Sequence, residues 1–586
     1  MVIYRVVIYH ERLFLSGDAH RTIIQLVGSR AASRRILLAE RSVIHAPTSL
    51  GALLLVRLDA PPTGASSWFC LKVVVTTPEG GVSMFPCYRT VTGSHPWSCY
   101  DDGLPEMMKA DDVSSLPAEV RFSVSKETDM ILTISRAVLQ WLPVSCGITI
   151  CLCPQIVEQF WRDDWFFGHQ FLNGANPTLI RRCTNIPANL AVTEEMVEAS
   201  LEGGVSLRQE METGNVFLVD YGLLDGLTAN TVNGKQNYLT APLVLLHLNA
   251  INQLVPVAIQ LKQTPSESNP VFVPQDLEAD WLTAKTFVRS ADFADHELRS
   301  HFLRTHVMSE LFAMATLRNL PMVHPLYKLL APHFRFTLEI NTLARQLLIS
   351  DGGLLQEYTA VGGAATLEYL RRASASLTYQ DLCLPDDVAG RGLANIPGYY
   401  YRDDGLRLWD IIQRCFDCVV TCHYHGEDDV IRDSELQSWI NEIIVFGFPK
   451  SFTSVSELTY FITMVIFTAS AQHAAVNNAQ LDYFGWMPNA PVGLQCPPPV
   501  CRGGCSERSL IDLRFRRFHL TVFQNLELRF HNLLAQYFSE SGPLEAATRF
   551  HRDLKRLSCD IRARNVELPL PYVYLDPATV EDSVTR

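Results

Sequence analysis

His301-Phe302-Leu303-Arg304-Thr305-His306 sits inside a helical pattern that runs from Trp281 to Leu317, its apolar positions continuing through Val307, Leu311 and Phe312. Two imidazoles there pose a geometric problem. At ~100° per residue, positions five apart on a regular α-helix differ by about 140°, so both rings cannot face one ion. A single π-type turn, pairing i with i+5, would stack them, and such turns occur mainly at functional sites. Taken alone, the pair leaves two readings open: ligands of one metal, or two histidines satisfied in the core or at the surface.

A second constellation, His473-Ala474-Ala475-Val476-Asn477, belongs to the most apolar helical segment, Tyr460 to Val476. Four-residue spacing places His473 and Asn477 on one face, and the two alanines leave room around them. Three imidazoles and an amide oxygen suit a first-row transition metal, with Fe, Zn, Cu and Ni all compatible by ligand type. The alternative is a buried hydrogen-bonded His/Asn pair.

Around these segments the chain changes character. From Tyr4 to about Val91 apolar residues alternate in short runs (Tyr4 to Tyr9, Ile23 to Val27, Leu53 to Leu58, Cys70 to Val75), punctuated by Gly, Pro and Ser. That is the pattern of an antiparallel β-sandwich. Asp101 to Pro117 loses periodicity and gathers Asp101, Asp102, Asp111, Asp112, Ser114 and Ser115, which marks a linker and a boundary near residue 112. Beyond it, amphipathic runs (Val323 to Leu348, Leu406 to His423, Ser434 to Ile444, Glu457 to Asn478, Leu544 to Arg564) predict a mostly helical domain. Two strand-like segments, Val216 to Tyr221 and Leu243 to Leu261, predict a small sheet within it. The expected fold class is therefore multidomain α+β, with a sandwich over 1–112 and a helical domain over 113–586.

At 586 residues, 47% hydrophobic and 19% charged, the chain is long and apolar enough to bury a large core. Its net charge of −13 opposes binding to phosphate polymers, so no nucleic acid is expected as a partner. Arg514, Arg516 and Arg517, interleaved with Phe515 and Phe518, read as a helix face rather than an RNA contact. Met1 to Leu13 carries Arg5, His10, Glu11 and Arg12 without a signal-peptide core. Tyr460 to Val476 is shorter than the ~20 residues of a bilayer span. Fifteen cysteines then suit reduced thiols in the cytoplasm. Cys496, Cys501 and Cys505 lack the paired spacing of a zinc site. No GxSxG, P-loop, HExxH or GxGxxG motif is present, leaving hydrolase, nucleotide-binding and metalloprotease readings without support. Gly352-Gly353 and Gly362-Gly363 read as helix stops and turns, and Asp403 and Asp404 as acidic caps of a helix start.

Over nearly its whole length the sequence resembles the animal lipoxygenases. The N-terminal part does so through Tyr4 to Gly28, Trp68-Phe69-Cys70 and Phe85-Pro86-Cys87-Tyr88-Arg89. The later part does so through Phe166-Phe167-Gly168-His169-Gln170-Phe171-Leu172-Asn173-Gly174, Trp281-Leu282-Thr283-Ala284-Lys285, His324-Pro325-Leu326-Tyr327-Lys328 and Trp486-Met487-Pro488-Asn489-Ala490-Pro491. The resemblance implies a PLAT-like β-sandwich followed by a helical catalytic domain with one non-haem iron. His301, His306 and His473 match its histidine ligands, Asn477 matches the next ligand position, and the terminal carboxylate, here that of Arg586, matches the last.

The implied reaction removes a hydrogen from the doubly allylic carbon of a cis,cis-1,4-pentadiene and adds O₂ to the opposite face of the radical. Its substrate is a polyunsaturated fatty acid such as linoleate or arachidonate, and it needs a redox-active metal with an open position, which excludes zinc. Gln480 matches an outer-shell glutamine, with Glu297 as its expected partner. Ala344 matches a position tied to product chirality, and Phe293, Tyr358 and Thr359 match the pocket floor. Gly17 and Asp18 lie where calcium would bind, and Phe14, Trp68 and Trp97 are candidate residues for reversible peripheral membrane contact. Three departures stand out: Arg586 replaces a terminal isoleucine, Val500 to Ser539 has no family counterpart, and the connection Phe446 to Ser454 is short. They motivate two alternatives, a fatty-acid hydroperoxide isomerase on the same iron and an inactive lipid- or partner-binding relative.

Overall fold

In the computed structural model the chain forms two compact units, Met1–Pro117 and Ala118–Arg586. The structure describes residues 2–10, 22–28, 30–37, 41–51, 53–59, 68–91, 97–100, 154–201, 204–321, 324–443, 447–505, 538 and 540–584. Phe14, Gly17, Asp18, the Asp101–Pro117 linker, the Arg514–Phe518 cluster and Arg586 lie outside the described residues.

The first unit is built from strands β1 (Val2–His10), β2 (Ile23–Gly28), β3 (Ile36–Leu37), β4 (Arg41–Ala46), β5 (Leu53–Asp59), β6 (Trp68–Thr76), β7 (Val82–Val91) and β8 (Trp97–Tyr100). They form two antiparallel sheets, ordered β4-β1-β6-β7 and β3-β2-β5-β8. Strict alternation makes this possible: every second residue of β2 and β4 is buried, as the period of two along a pleated strand requires. Tyr4, Val6, Ile24, Leu26, Val56, Leu58, Val73 and Phe85 meet in one core. The hydroxyl of buried Tyr4 accepts the Leu50 amide at 2.8 Å, satisfying the ring's polar end.

The second unit carries a five-stranded antiparallel sheet, β15-β14-β13-β10-β9, from β9 (Arg181–Arg182), β10 (Val216–Asp220), β13 (Leu243–Leu248), β14 (Leu254–Gln260) and β15 (Val271–Phe272). A separate hairpin pairs β11 (Thr231–Val232) with β12 (Lys235–Gln236). The single apolar run Leu243 to Leu261 is thus two strands. Asn249 and Gln253 close the turn between them at 2.9 Å, with Asn252 at φ 60°, a conformation asparagine tolerates better than most residues.

The helices that frame the site begin with α1 (Asp164–Asn173), followed by α2 (Glu278–Asp295), a π-helical stretch His296–Val307, and α3 (Met308–Asn319) on one continuous axis. Then come α4 (Thr337–Ala344), α5 (Tyr400–Thr421), α6 (Ser434–Glu442), α7 (Val455–Phe467), a π turn Thr468–Gln472, α8 (His473–Tyr483) and α9 (Ser541–Glu567). The predicted run Val323 to Leu348 is broken: Phe336 adopts φ 67°, and α4 starts only after it. Both glycine pairs lie in turns between helices, as expected, with Gly352 at φ 82° and Gly363 at φ 67°, and Gly353 and Gly363 are also the N-caps of the helices Leu354–Tyr358 and Ala364–Ser376.

The expected acidic cap at Asp403 and Asp404 is not what starts α5. Asp403 pairs with Arg402, and Asp404 accepts two bonds from Arg564 of α9 at 2.6 and 2.9 Å. The cap is instead supplied from α1, where Asn173 Oδ1 accepts the Tyr400 amide at 2.8 Å. The apolar helix Tyr460 to Val476 is buried throughout most of its length, and no helix among the described residues is long and apolar enough to cross a membrane.

Candidate metal centre

The π-helical stretch His296–Val307 supplies the geometry that a regular α-helix denies. Widening the turn brings His301 and His306 onto one face, their Nε2 atoms 3.3 Å apart. From the facing helix, His473 places its Nε2 3.1 Å from that of His306. The π turn Thr468–Gln472, which the sequence patterns did not signal, ends directly before His473 and sets its direction. One ligand atom from each of the three histidines lies within 4.8 Å of the other two. Nitrogens sharing an ion at a metal–imidazole distance of about 2.1 Å stand roughly 3 Å apart when at right angles, so these separations suit one metal. His306 and His473 are buried and His301 nearly so.

Asn477, one helical turn beyond His473, is buried, and its Oδ1 accepts from Gln480 Nε2 at 2.9 Å. Gln480 thus meets Asn477 rather than Glu297, and its own Oε1 is buried without a hydrogen-bond partner. Glu297 turns to the histidines: its oxygens lie 3.6 Å from His296 Nδ1 and 4.0 Å from His301 Nδ1. Burial alone would raise its carboxyl, but the neighbouring His296 and His301 bring it down to about 2. Burial in turn lowers the His301 imidazole below its ordinary range, with Glu297 opposing.

Sequence reasoning missed His296, although His296, His301 and His306 repeat at intervals of five. Its Nε2–H donates to the Val476 carbonyl at 3.1 Å, tying the π-helix to α8, and its ring stacks on His301 at 5.7 Å. Asn341, 35 residues from His306 in sequence, bonds His306 Nδ1 at 2.8 Å and has no sequence signal at all.

Of the pocket positions, Phe293 is buried against Ala490 and Val492, and Thr359 is fully buried. Ala360, next to Thr359, donates its amide to the Val492 carbonyl at 2.9 Å, so Phe293 and Thr359 border the same segment. Tyr358 is 38% exposed, and Ala344, half-buried, closes α4. The last described residues pack into the helical unit: Val580 and Val584 are buried, and Ser583 donates to the Arg335 carbonyl at 2.7 Å. Arg586 and the calcium candidates Gly17 and Asp18 fall outside the described residues, while Trp68 and Trp97 lie in β6 and β8.

A second acid–histidine group, His324, Asp433 and Glu435, is explained by structure. His324 Nδ1 accepts the Leu326 amide at 3.1 Å, its Nε2 meets Asp433 at 3.1 Å, and Asp433 caps α6. The nitrogens a metal would need are already engaged.

A helical unit that turns three imidazole nitrogens onto one point has the frame of a histidine-ligated metalloprotein. The Lipoxygenase family profile matches residues 151–501. The chain is 35% identical to polyunsaturated fatty acid lipoxygenase ALOX15B of Homo sapiens, with all of both chains covered. It is 33% identical to hydroperoxide isomerase ALOXE3 of Rattus norvegicus, over 99% of this chain and 97% of that one. Among solved structures, coral 8R-lipoxygenase, described with calcium activation through a C2-like domain, aligns over both full chains with a TM-score of 0.74 at 28% identity. The chain belongs to the lipoxygenase family, dioxygenases of polyunsaturated fatty acids that use non-haem iron. Its two antiparallel sheets followed by a large helical unit are the expected fold class.

Proposed function

We propose that this chain is itself a lipoxygenase that dioxygenates a polyunsaturated fatty acid such as linoleate or arachidonate stereospecifically. The convergence of His301, His306 and His473 Nε2 atoms carries this reading. The donor set fits one non-haem iron: three imidazoles turn a ring nitrogen toward a common point, and Asn477 stands one turn from His473. The α-carboxylate of Arg586 is assigned as the remaining ligand. When bound, the iron supplies the one-electron chemistry that starts attack on a 1,4-pentadiene. The chain's own part is positioning. Glu297 and His296 brace His301, Gln480 orients Asn477, and Phe293, Thr359 and Ala344 shape the space for the acyl chain.

Purified protein is expected to carry about one iron per chain and to generate conjugated-diene absorbance from linoleate or arachidonate in air. Iron-free folded protein that stays inactive after reconstitution would sink the reading. Likeness to a hydroperoxide isomerase supports a second one, conversion of fatty-acid hydroperoxides on the same site. It predicts consumption of added hydroperoxide without new dienes. An inactive lipid-binding role corresponds to the iron-free outcome.

The N-terminal sandwich is assigned to reversible peripheral membrane contact, assisted by calcium near Gly17 and Asp18. The support is the likeness to coral 8R-lipoxygenase and its calcium activation through a C2-like domain. Full-length protein should co-sediment with phosphatidylcholine vesicles more strongly in calcium than in EGTA; equal partition in both would remove the calcium assignment.

A further inference from the structure

Behind His306 lies a buried polar chain that reaches from the π-helix to α4. Asn341 is fully buried, and its Nδ2 donates twice, to the His306 carbonyl at 2.7 Å and to Glu310 Oε2 at 2.9 Å. Both amide hydrogens are therefore spent, so the oxygen facing His306 Nδ1 at 2.8 Å acts only as an acceptor. Nδ1 must then carry the proton, which leaves the lone pair on Nε2, the atom turned toward His301 and His473.

Asn341 cannot flip to offer the opposite pattern, because Glu310 holds it. The same Glu310 oxygen accepts from Arg345 Nη1 at 2.6 Å, and both charged side chains are buried. A buried ion pair of this kind stabilises little in net terms, and its best-attested use is to specify an arrangement. Glu310 is on α3, one turn beyond His306, and Arg345 follows directly after α4, so the pair links the two helices.

We propose that Asn341, oriented by the Glu310–Arg345 ion pair, is a positioning residue that locks His306 in its Nδ1–H form and so presents Nε2 to a metal. The inference rests on the metal-centre reading above. Outer-shell partners that orient an imidazole typically change metal affinity by about 10–100-fold when removed.

The test is titration of metal-free full-length protein with Co²⁺, following the visible absorption of the bound ion. Asn341→Leu is expected to weaken Co²⁺ binding by about 10–100-fold and to change the band pattern as His306 leaves its fixed tautomer. Glu310→Gln keeps an acceptor for Asn341 and Arg345 but offers an amide that can turn. It should weaken binding less, in the same direction. Unchanged affinity and spectrum in a folded Asn341→Leu variant, or in Glu310→Gln if the first does not fold, would overturn the proposal. If wild-type protein takes up no Co²⁺, the metal-centre reading falls and this inference with it; if wild type and variants bind alike, only this inference falls.

Discussion

On the proposed assignment of His306 as an iron ligand, replacing it with alanine is expected to lower iron content and abolish diene formation. The side chain stands at the centre of the histidine cluster: its Nε2 is 3.3 Å from that of His301 and 3.1 Å from that of His473. Removing it leaves only His301 and His473 of the three converging imidazoles. The loss in affinity should exceed the roughly 10–100-fold typical of changing a residue that only orients a ligand, because on the proposed assignment His306 binds the metal directly. The substitution also leaves Asn341 Oδ1 buried without its partner, a penalty of about 1–3 kcal/mol. Unfolding temperature and circular dichroism must therefore be recorded alongside iron content. A folded His306→Ala protein that keeps stoichiometric iron and forms dienes at the wild-type rate would remove His306 from the ligand set.

Gly168→Ala should be among the most destabilising single changes available outside the metal centre. Helix α1 crosses β14 so closely at this point that an added methyl group would run into the Leu254 carbonyl carbon and oxygen. Both are backbone atoms of a paired strand, so no side chain can swing aside, and the helix itself must shift. Moving α1 disturbs what it carries. The Arg289 guanidinium lies over the rings of Phe167 and Phe171 at 4.2 and 4.6 Å, the side-chain amides of Gln170 and Asn489 exchange two hydrogen bonds, and Asn173 caps α5. Overpacking typically costs about 1–3 kcal/mol, and a clash with backbone belongs at or above the upper end. A urea melt of the variant should show a clearly lower midpoint, and an unchanged midpoint would show that the two elements separate without cost.

Much of this architecture is written in local periodicity. The alternation in β2 and β4 predicts which residues enter the sandwich core, because a strand offers only two faces. The run Trp281 to Leu317 predicts one long helix, and five-residue spacing between its histidines requires a π turn if they are to act together; both features are present. His473 and Asn477 share a face for an equally local reason. Each conclusion depends only on the covalent geometry of a few consecutive residues.

What the sequence could not determine lies between elements distant in the chain. Glu297 was expected to meet Gln480, but its oxygens lie instead 3.6 and 4.0 Å from the Nδ1 atoms of His296 and His301. Asp404 pairs with Arg564, 160 residues away, while the cap of α5 comes from Asn173. The break at Phe336 and the turn at Asn252 interrupt apolar runs that read as continuous. Periodicity records which face of an element is apolar, but not which neighbour will cover it. The sequence alone therefore determined the sheet-then-helix architecture and singled out the three histidines that converge. Packing decided their partners: the proton on His306, the burial of the Glu310–Arg345 pair and the approach of Gly168 to Leu254 depend on side chains and backbones that only the folded core brings within bonding distance.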